Sequence, residues 1–333
     1  MSKIAILGGG SWGTGLAAVL AHARRRHDVH IWAREENIAR SIQEKHENPV
    51  YLPGIPLPEC VRANTDMREV LQGAQVVVGV VPSAYTREVF ALALPHIPME
   101  AAIVSATKGL EPSTRLRMSE VIEQACSLRF VPRIAVLSGP SFAIEAARGE
   151  PTAVVVASKS ALGAFIQEEF AGSSFRLYTN YDVVGVEMAG AMKNVMAIAA
   201  GACQGLGLGA NALAALITRG LAEMTRLTVA MGGKPETLSG LAGLGDLVLT
   251  CHGQLSRNRH VGFELGRGRK LAEILGEMNM VAEGVGTTEA LVALARERGI
   301  ELPITEQVYS ILRLGNSPQD AIRAIMERPL KRE

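Results

Sequence analysis

The chain has 333 residues, 48% of them hydrophobic, enough to fill two cores rather than one. A formal net charge of +1 and an aromatic content of 4% supply neither the basic field nor the stacking surface of a nucleic-acid binder, so any affinity for phosphate must be local. The four cysteines, Cys60, Cys126, Cys203 and Cys251, show no C-x-x-C spacing, which indicates neither a disulfide framework nor a metal site and is read as reduced thiols in the cytoplasm.

The first predicted element is the apolar run Ile4–Leu7, which breaks into Gly8-Gly9-Gly10-Ser11-Trp12-Gly13 and resumes as a helical pattern through Leu16-Ala17-Ala18-Val19-Leu20. Gly8, Gly10 and Gly13 fit G-x-G-x-x-G between a strand and a helix. In such a clamp the first glycine makes the turn, the second lets backbone approach a pyrophosphate, and the third lets helix pack on strand. The free N–H groups and positive dipole end of the following helix suit the phosphates. Lys3, the apolar stretch and Ala21-His22-Ala23 also resemble a secretory signal, but glycines, Ser11 and Thr14 interrupt its hydrophobic core, and export is not expected. No other apolar run reaches the eighteen or so residues of a membrane span, so the expectation is a cytoplasmic protein that is not integral to a membrane.

Further β-rich runs follow at Val29–Trp32, Gln75–Val81, Ile103–Ala106, Ile134–Leu137, Ala153–Ala157 and Phe175–Tyr178, separated by helical stretches. This alternation predicts an α/β unit over residues 1–180, a doubly wound Rossmann-type parallel sheet. The valines of Val76–Val81 suit a central strand covered on both faces. The strand-end turns Val81-Pro82-Ser83, Ala106-Thr107-Lys108-Gly109 and Ser138-Gly139-Pro140-Ser141 are expected to line one crevice, because ligands of open α/β sheets bind at the carboxyl ends of strands. The second strand ends in Ala33-Arg34, with no acid at its end to hold a ribose 2′-hydroxyl. Arg34 therefore favours NADP(H), while Glu35 and Glu36 leave NAD(H) open.

From Tyr181 the pattern becomes helical, giving an all-α second domain over 181–333. Its helices are predicted at Val183–Gln204, Asn211–Met231, Gly262–Met278, Thr287–Arg298 and Thr305–Leu314, with a glycine-rich link after the second. A last helix capped by Ser317 runs to about Glu327. Between Met188 and Thr218 the only charged side chain is Lys193, flanked at helical spacing by Ala189, Gly190, Met196 and Ala197. A buried helix can let a lysine snorkel outward; Asn194 beside it turns the reading toward a functional pair, with Lys193 as an acid/base.

The block Gly190-Ala191-Met192-Lys193-Asn194-Val195 and the amino-terminal glycines are joined by others along the chain. These are Ala106–Glu111, Leu137–Ala143, Leu241-Ala242-Gly243-Leu244-Gly245-Asp246-Leu247, Gln254–Arg259 and Val281-Ala282-Glu283-Gly284. In these blocks, in this order, the chain resembles bacterial-type NAD(P)-dependent glycerol-3-phosphate dehydrogenases.

The resemblance implies a 6-phosphogluconate dehydrogenase-like fold and reversible reduction of dihydroxyacetone phosphate to sn-glycerol 3-phosphate, a phospholipid precursor, by a homodimer. It implies Lys193 as proton donor and acceptor, Lys108 as a second cation that polarises the carbonyl oxygen, and Asp246 as a residue orienting Lys193 or a hydroxyl. Arg257, between Ser256 and Asn258, is implied to fork onto the phosphate. Gly139, Ser141 and Asn194 join the substrate contacts. Ser11, Trp12, Ala143, Val281 and Glu283 join the glycines and Arg34 at the cofactor, where Lys108 and Arg257 are also implied to reach. A ketopantoate or β-hydroxyacid reductase shares the two-domain plan, but Ser256-Arg257-Asn258 points to a phosphorylated substrate. A non-catalytic dinucleotide sensor has no need of Lys193 in an apolar helix.

Overall fold

The computed structural model describes residues 2–278, 280–330 and 332. They form two compact units, one from the chain up to Lys108 together with Leu116–Glu187, the other from Gly109–Arg115 and the chain from Met188 on.

The first unit is built on eight strands: β1 Ser2–Leu7, β2 His27–Trp32, β3 Val61–Asn64, β4 Val76–Gly79, β5 Ala102–Ser105, β6 Arg133–Ser138, β7 Thr152–Ala157 and β8 Phe175–Asn180. Their order across the sheet is β3-β2-β1-β4-β5-β6-β7-β8, and its first six positions are the 3-2-1-4-5-6 order of dinucleotide-binding folds. Alternation along each strand divides the apolar side chains between two cores. Ile4 and Ile6 of β1 pack on one face with Leu16, Leu20 and Ile31, while Ala5 and Leu7 pack on the other with Val77, Phe90 and Ile103. All four residues of β4 are buried, as its run of valines predicts.

Two features differ from the sequence reading. β3 was not expected; it is an edge strand in which buried Val61 and Ala63 alternate with Arg62 and Asn64, so it lacks the continuous apolar run of a central strand. The sheet is also not wholly parallel, because β7 runs antiparallel to β6, with Ser138 opposite Val155. The intervening residues 139–151 hold only the short helix Ala143–Ala147, which packs on the helix after β1. The chain thus stays at the carboxyl edge of the sheet, and β7 starts from that edge and returns.

Among its described residues, the regular elements of the second unit from Met188 on are all helices and helical turns. The helix Val183–Gly205 is long and apolar enough to cross a membrane, but 94% of its most apolar window is buried inside the protein, the condition of a core helix. It is followed by Ala210–Ala230. The glycine-rich link then contains a short helix, Pro235–Leu238, and a π-type turn, Leu241–Gly245, that leads into the helix Asp246–His252. The single helix expected over 262–278 is two: Arg257–Gly266 and Leu271–Gly276. The first starts early because the Ser256 hydroxyl accepts the Arg259 N–H at 3.2 Å, and it ends before Gly268, which is left-handed at φ +87°. The helices Glu283–Arg298, Pro303–Tyr309 and Pro318–Met326 complete the unit. The last is capped as predicted, with Ser317 Oγ accepting the Asp320 N–H at 3.1 Å. At the start of Pro303–Tyr309 the buried Glu223 accepts the N–H groups of Ile304 and Thr305 at 2.6 and 3.2 Å. Burial pushes its carboxyl up to about 7.

Candidate active site

The glycine turn takes the shape its spacing predicts. Gly8 has φ +132°, and a Cβ there would lie 2.7 Å from the carbonyl oxygen of Val80. A Cβ on Gly13 would lie 1.9 Å from the carbonyl oxygen of Gly8, so only glycine lets the helix Ser11–Ala21 sit this close to β1. Gly10 behaves differently: a Cβ there would meet nothing within 4 Å, which leaves an open face at the helix start. Among the described residues, the cap position of that helix, Gly10, makes no side-chain cap hydrogen bond, and the first turn holds no acid. A positive helix end that starts from a glycine and holds no acid fits the pyrophosphate of a dinucleotide. Ser11 and Trp12 lie half-buried in the same turn. Ala143 reaches this helix as well, since its carbonyl oxygen lies 2.9 Å from where a Gly15 Cβ would be.

Beyond the end of β2, the Arg34 guanidinium and the Glu35 carboxylate form an ion pair at 2.9 Å. Both the cation and the acid singled out for the ribose end are therefore present together. At the carboxyl ends of β5 and β6, Lys108 Nζ donates to the carbonyl oxygen of Gly139 at 2.8 Å, and Ser141 Oγ donates to the same oxygen at 3.1 Å. Thr107 Oγ1 donates to the carbonyl oxygen of Val81 at 2.7 Å. The three strand-end turns thus meet, with Lys108, Gly139 and Ser141 in direct contact.

In the helical unit Lys193 is only 7% exposed and Asp246 only 1%. Lys193 Nζ lies 2.7 Å from Asp246 Oδ1 and 2.8 Å from Thr250 Oγ1. The carboxylate offsets the desolvation of a buried ammonium. The Thr250 hydroxyl, which also contacts the backbone oxygen of Asp246 at 2.6 Å, fixes where the ammonium sits. The N-cap position of its helix is Gly245, and Asp246 stands in the first turn with its side chain on the lysine. Cys251, next to Thr250, is buried, and burial pushes its thiol up to about 12, which leaves it protonated and inert at neutral pH.

Asn194, one residue on from the lysine, accepts from Asn258 Nδ2 at 3.0 Å, and Asn258 Oδ1 accepts the Gly284 N–H at 2.9 Å. This chain of amides joins the lysine helix to the Ser256–Asn258 block and to the helix that Glu283 begins. Arg257 is exposed and donates to the carbonyl oxygen of Val281 at 3.0 Å. Ser256 is engaged as the cap of the Arg257–Gly266 helix. Sequence reasoning missed two residues that the geometry brings in, Thr250 and Asn48. Thr250 follows Asp246 by four positions on one helix, a spacing that shares a face. The buried Asn48 binds the glycine turn at Gly9 and Thr14.

A doubly wound dinucleotide unit joined in one chain to a helical unit with a buried lysine–aspartate pair defines a nicotinamide-dependent oxidoreductase. The profile of the NAD-dependent glycerol-3-phosphate dehydrogenase N-terminus matches residues 3–163, and that of the C-terminus matches residues 182–323. The chain belongs to this family. It is 54% identical over 331 residues to a glycerol-3-phosphate dehydrogenase [NAD(P)+] of Koribacter versatilis (strain Ellin345), covering 99% of this chain and 98% of the relative. Against the enzyme of the same name from Myxococcus xanthus (strain DK1622) the identity is 52%, with 98% of each covered. The crystal structure of glycerol-3-phosphate dehydrogenase from Coxiella burnetii superposes with a TM-score of 0.93 at 43% identity, covering 98% of this chain and 99% of that one.

Proposed function

We propose that the chain is an NAD(P)-dependent glycerol-3-phosphate dehydrogenase that reversibly reduces dihydroxyacetone phosphate to sn-glycerol 3-phosphate and so feeds glycerophospholipid synthesis. The observation that carries this reading is the buried Lys193–Asp246–Thr250 cluster in a chain of this family. A nicotinamide held by the glycine turn would supply the hydride that the C2 carbon of the ketone needs. Lys193 delivers a proton to the C2 oxygen, or takes it back in the oxidative direction, and Asp246 and Thr250 hold its ammonium in place. Lys108, steadied on the Gly139 carbonyl beside Ser141, stabilises charge growing on the substrate oxygen. Arg257 forks onto the substrate phosphate, with Asn258 and the first N–H groups of its helix beside it and Asn194 tied to Asn258.

The glycine turn, Ser11, Trp12 and Ala143 hold the dinucleotide, and Val281 and Glu283 add contacts from the helical unit, where Arg257 also reaches the cofactor. The same reading carries a cytoplasmic homodimer, in keeping with exposed apolar side chains such as Val248 and Leu255 on the helical unit. The test is oxidation of NADPH and NADH with three ketones. Turnover is expected with dihydroxyacetone phosphate, only very poor turnover with unphosphorylated dihydroxyacetone, and none with ketopantoate; reduction of ketopantoate in preference would overturn the assignment.

Arg34 biases the cofactor toward NADPH, because a 2′-phosphate can take the guanidinium from Glu35 whereas a 2′-hydroxyl cannot compete for it. Arg34→Ala is expected to raise KM for NADPH and barely to change that for NADH. Equal losses in steady-state assays with both would show that Arg34 serves adenosine groups common to the two.

A further inference from the structure

Asn48 is fully buried and uses every polar atom of its side chain. Its Nδ2 donates to the carbonyl oxygen of Gly9 at 2.9 Å and to Thr14 Oγ1 at 2.8 Å, and its Oδ1 accepts the Tyr51 N–H at 3.0 Å. The Thr14 hydroxyl also donates to the Gly9 carbonyl, at 3.3 Å. The Gly9 carbonyl is therefore drawn inward by two donors, one from a segment distant in sequence. A trans peptide is planar, and its C=O and N–H point in opposite directions. Fixing the Gly9 oxygen inward thus turns the Gly10 N–H the opposite way, next to a Cα whose Cβ position is open. Glycines cannot hold this orientation by themselves, since they are the residues with the most conformational freedom.

We infer that Asn48 is a positioning residue for the dinucleotide, acting through the Gly9–Gly10 peptide to hold the Gly10 N–H aimed at the pyrophosphate. The inference rests on the glycine turn being the dinucleotide site. Asn48→Asp keeps the shape and the acceptor for Tyr51 but sets a carboxylate oxygen against the Gly9 carbonyl and releases it. Thr14→Val is a milder variant that removes the hydroxyl and keeps the β-branch.

The experiment is calorimetric titration of the ligand-free enzyme with NADPH and with NADH, beside steady-state kinetics and a melting curve for each variant. Asn48→Asp is expected to weaken both dinucleotides alike by about ten- to a hundredfold, the scale of one misaimed charge-assisted hydrogen bond. Thr14→Val is expected to weaken them less, in the same sense. kcat at saturating dinucleotide and KM for dihydroxyacetone phosphate should stay parental, a split that general loosening of the fold would not give. Parental dissociation constants in folded Asn48→Asp overturn the inference, or in Thr14→Val if the first does not fold. Weakening confined to NADPH overturns it too, by placing the effect at the ribose end. Failure of the parent enzyme itself to bind either dinucleotide would instead overturn the reading of the glycine turn.

Discussion

Lys193→Met is expected to fold, to bind dinucleotide, and to reduce dihydroxyacetone phosphate with kcat lower by about two to four decades, the range for loss of general acid–base catalysis. Methionine matches the length of the lysine stem and suits an apolar helix whose other neighbours are Ala189, Gly190, Met196 and Ala197. The substitution has a structural side effect, because Asp246, 1% exposed, loses its ion-pair partner. Breaking one side of a buried pair costs more than removing both. The double variant Lys193→Met with Asp246→Asn separates the two effects. It should recover most of the melting temperature lost in the single variant and none of the lost turnover. Calorimetric binding of NADPH checks that the dinucleotide unit is untouched. Near-parental turnover in either folded variant would sink the assignment of the proton to Lys193.

Lys193 was legible in the sequence because a lone charge in an apolar helical run breaks the pattern that surrounds it, and the residue proves to be buried against a carboxylate. The glycine turn was legible for a similar reason, since G-x-G-x-x-G between strand and helix states a backbone geometry rather than a preference. Its partner Asn48 was not legible. An asparagine before a proline, as in Asn48-Pro49, reads locally as a turn residue, and its bonds to Gly9 and Thr14 join positions far apart in the chain. Tertiary pairing of this kind leaves no periodicity.

β3 escaped for a related reason, being an edge strand whose alternation is spread over only four residues. The antiparallel return of β7 depends on where the chain lies after β6, which no local pattern in Thr152–Ala157 encodes. The misjoined helix over 262–278 shows the converse error. A weak helical pattern was carried across Gly268, whose left-handed backbone ends a turn, while the Ser256 cap that begins the helix was read only as part of a phosphate site.

Arg257→Ala is expected to lower kcat/KM for dihydroxyacetone phosphate by on the order of 2–4 kcal/mol, roughly thirty- to a thousandfold, as deletion of a charge-assisted phosphate contact does. More of the loss should fall in kcat if the phosphate's binding energy is what positions the ketone for reaction. The chain carries a net charge of only +1 and offers no general attraction for an anion that would replace the lost group. Arg257 is exposed and stands where its helix begins, so the guanidinium and the first backbone N–H groups can act on one phosphate. Arg257→Lys keeps the charge and loses the planar fork, and it should fall between parent and alanine rather than match the parent. The side chain also holds the Val281 carbonyl at 3.0 Å, two residues before Glu283. Its removal therefore has a second route to reduced activity, through the cofactor contacts assigned to that segment. Unphosphorylated dihydroxyacetone separates the routes. It should be a very poor substrate for the parent and lose little further in Arg257→Ala, because the deleted group has no phosphate partner there. A loss by the same factor on both ketones, with KM for NADPH raised in parallel, would assign Arg257 to the cofactor or the fold and leave the phosphate to other residues.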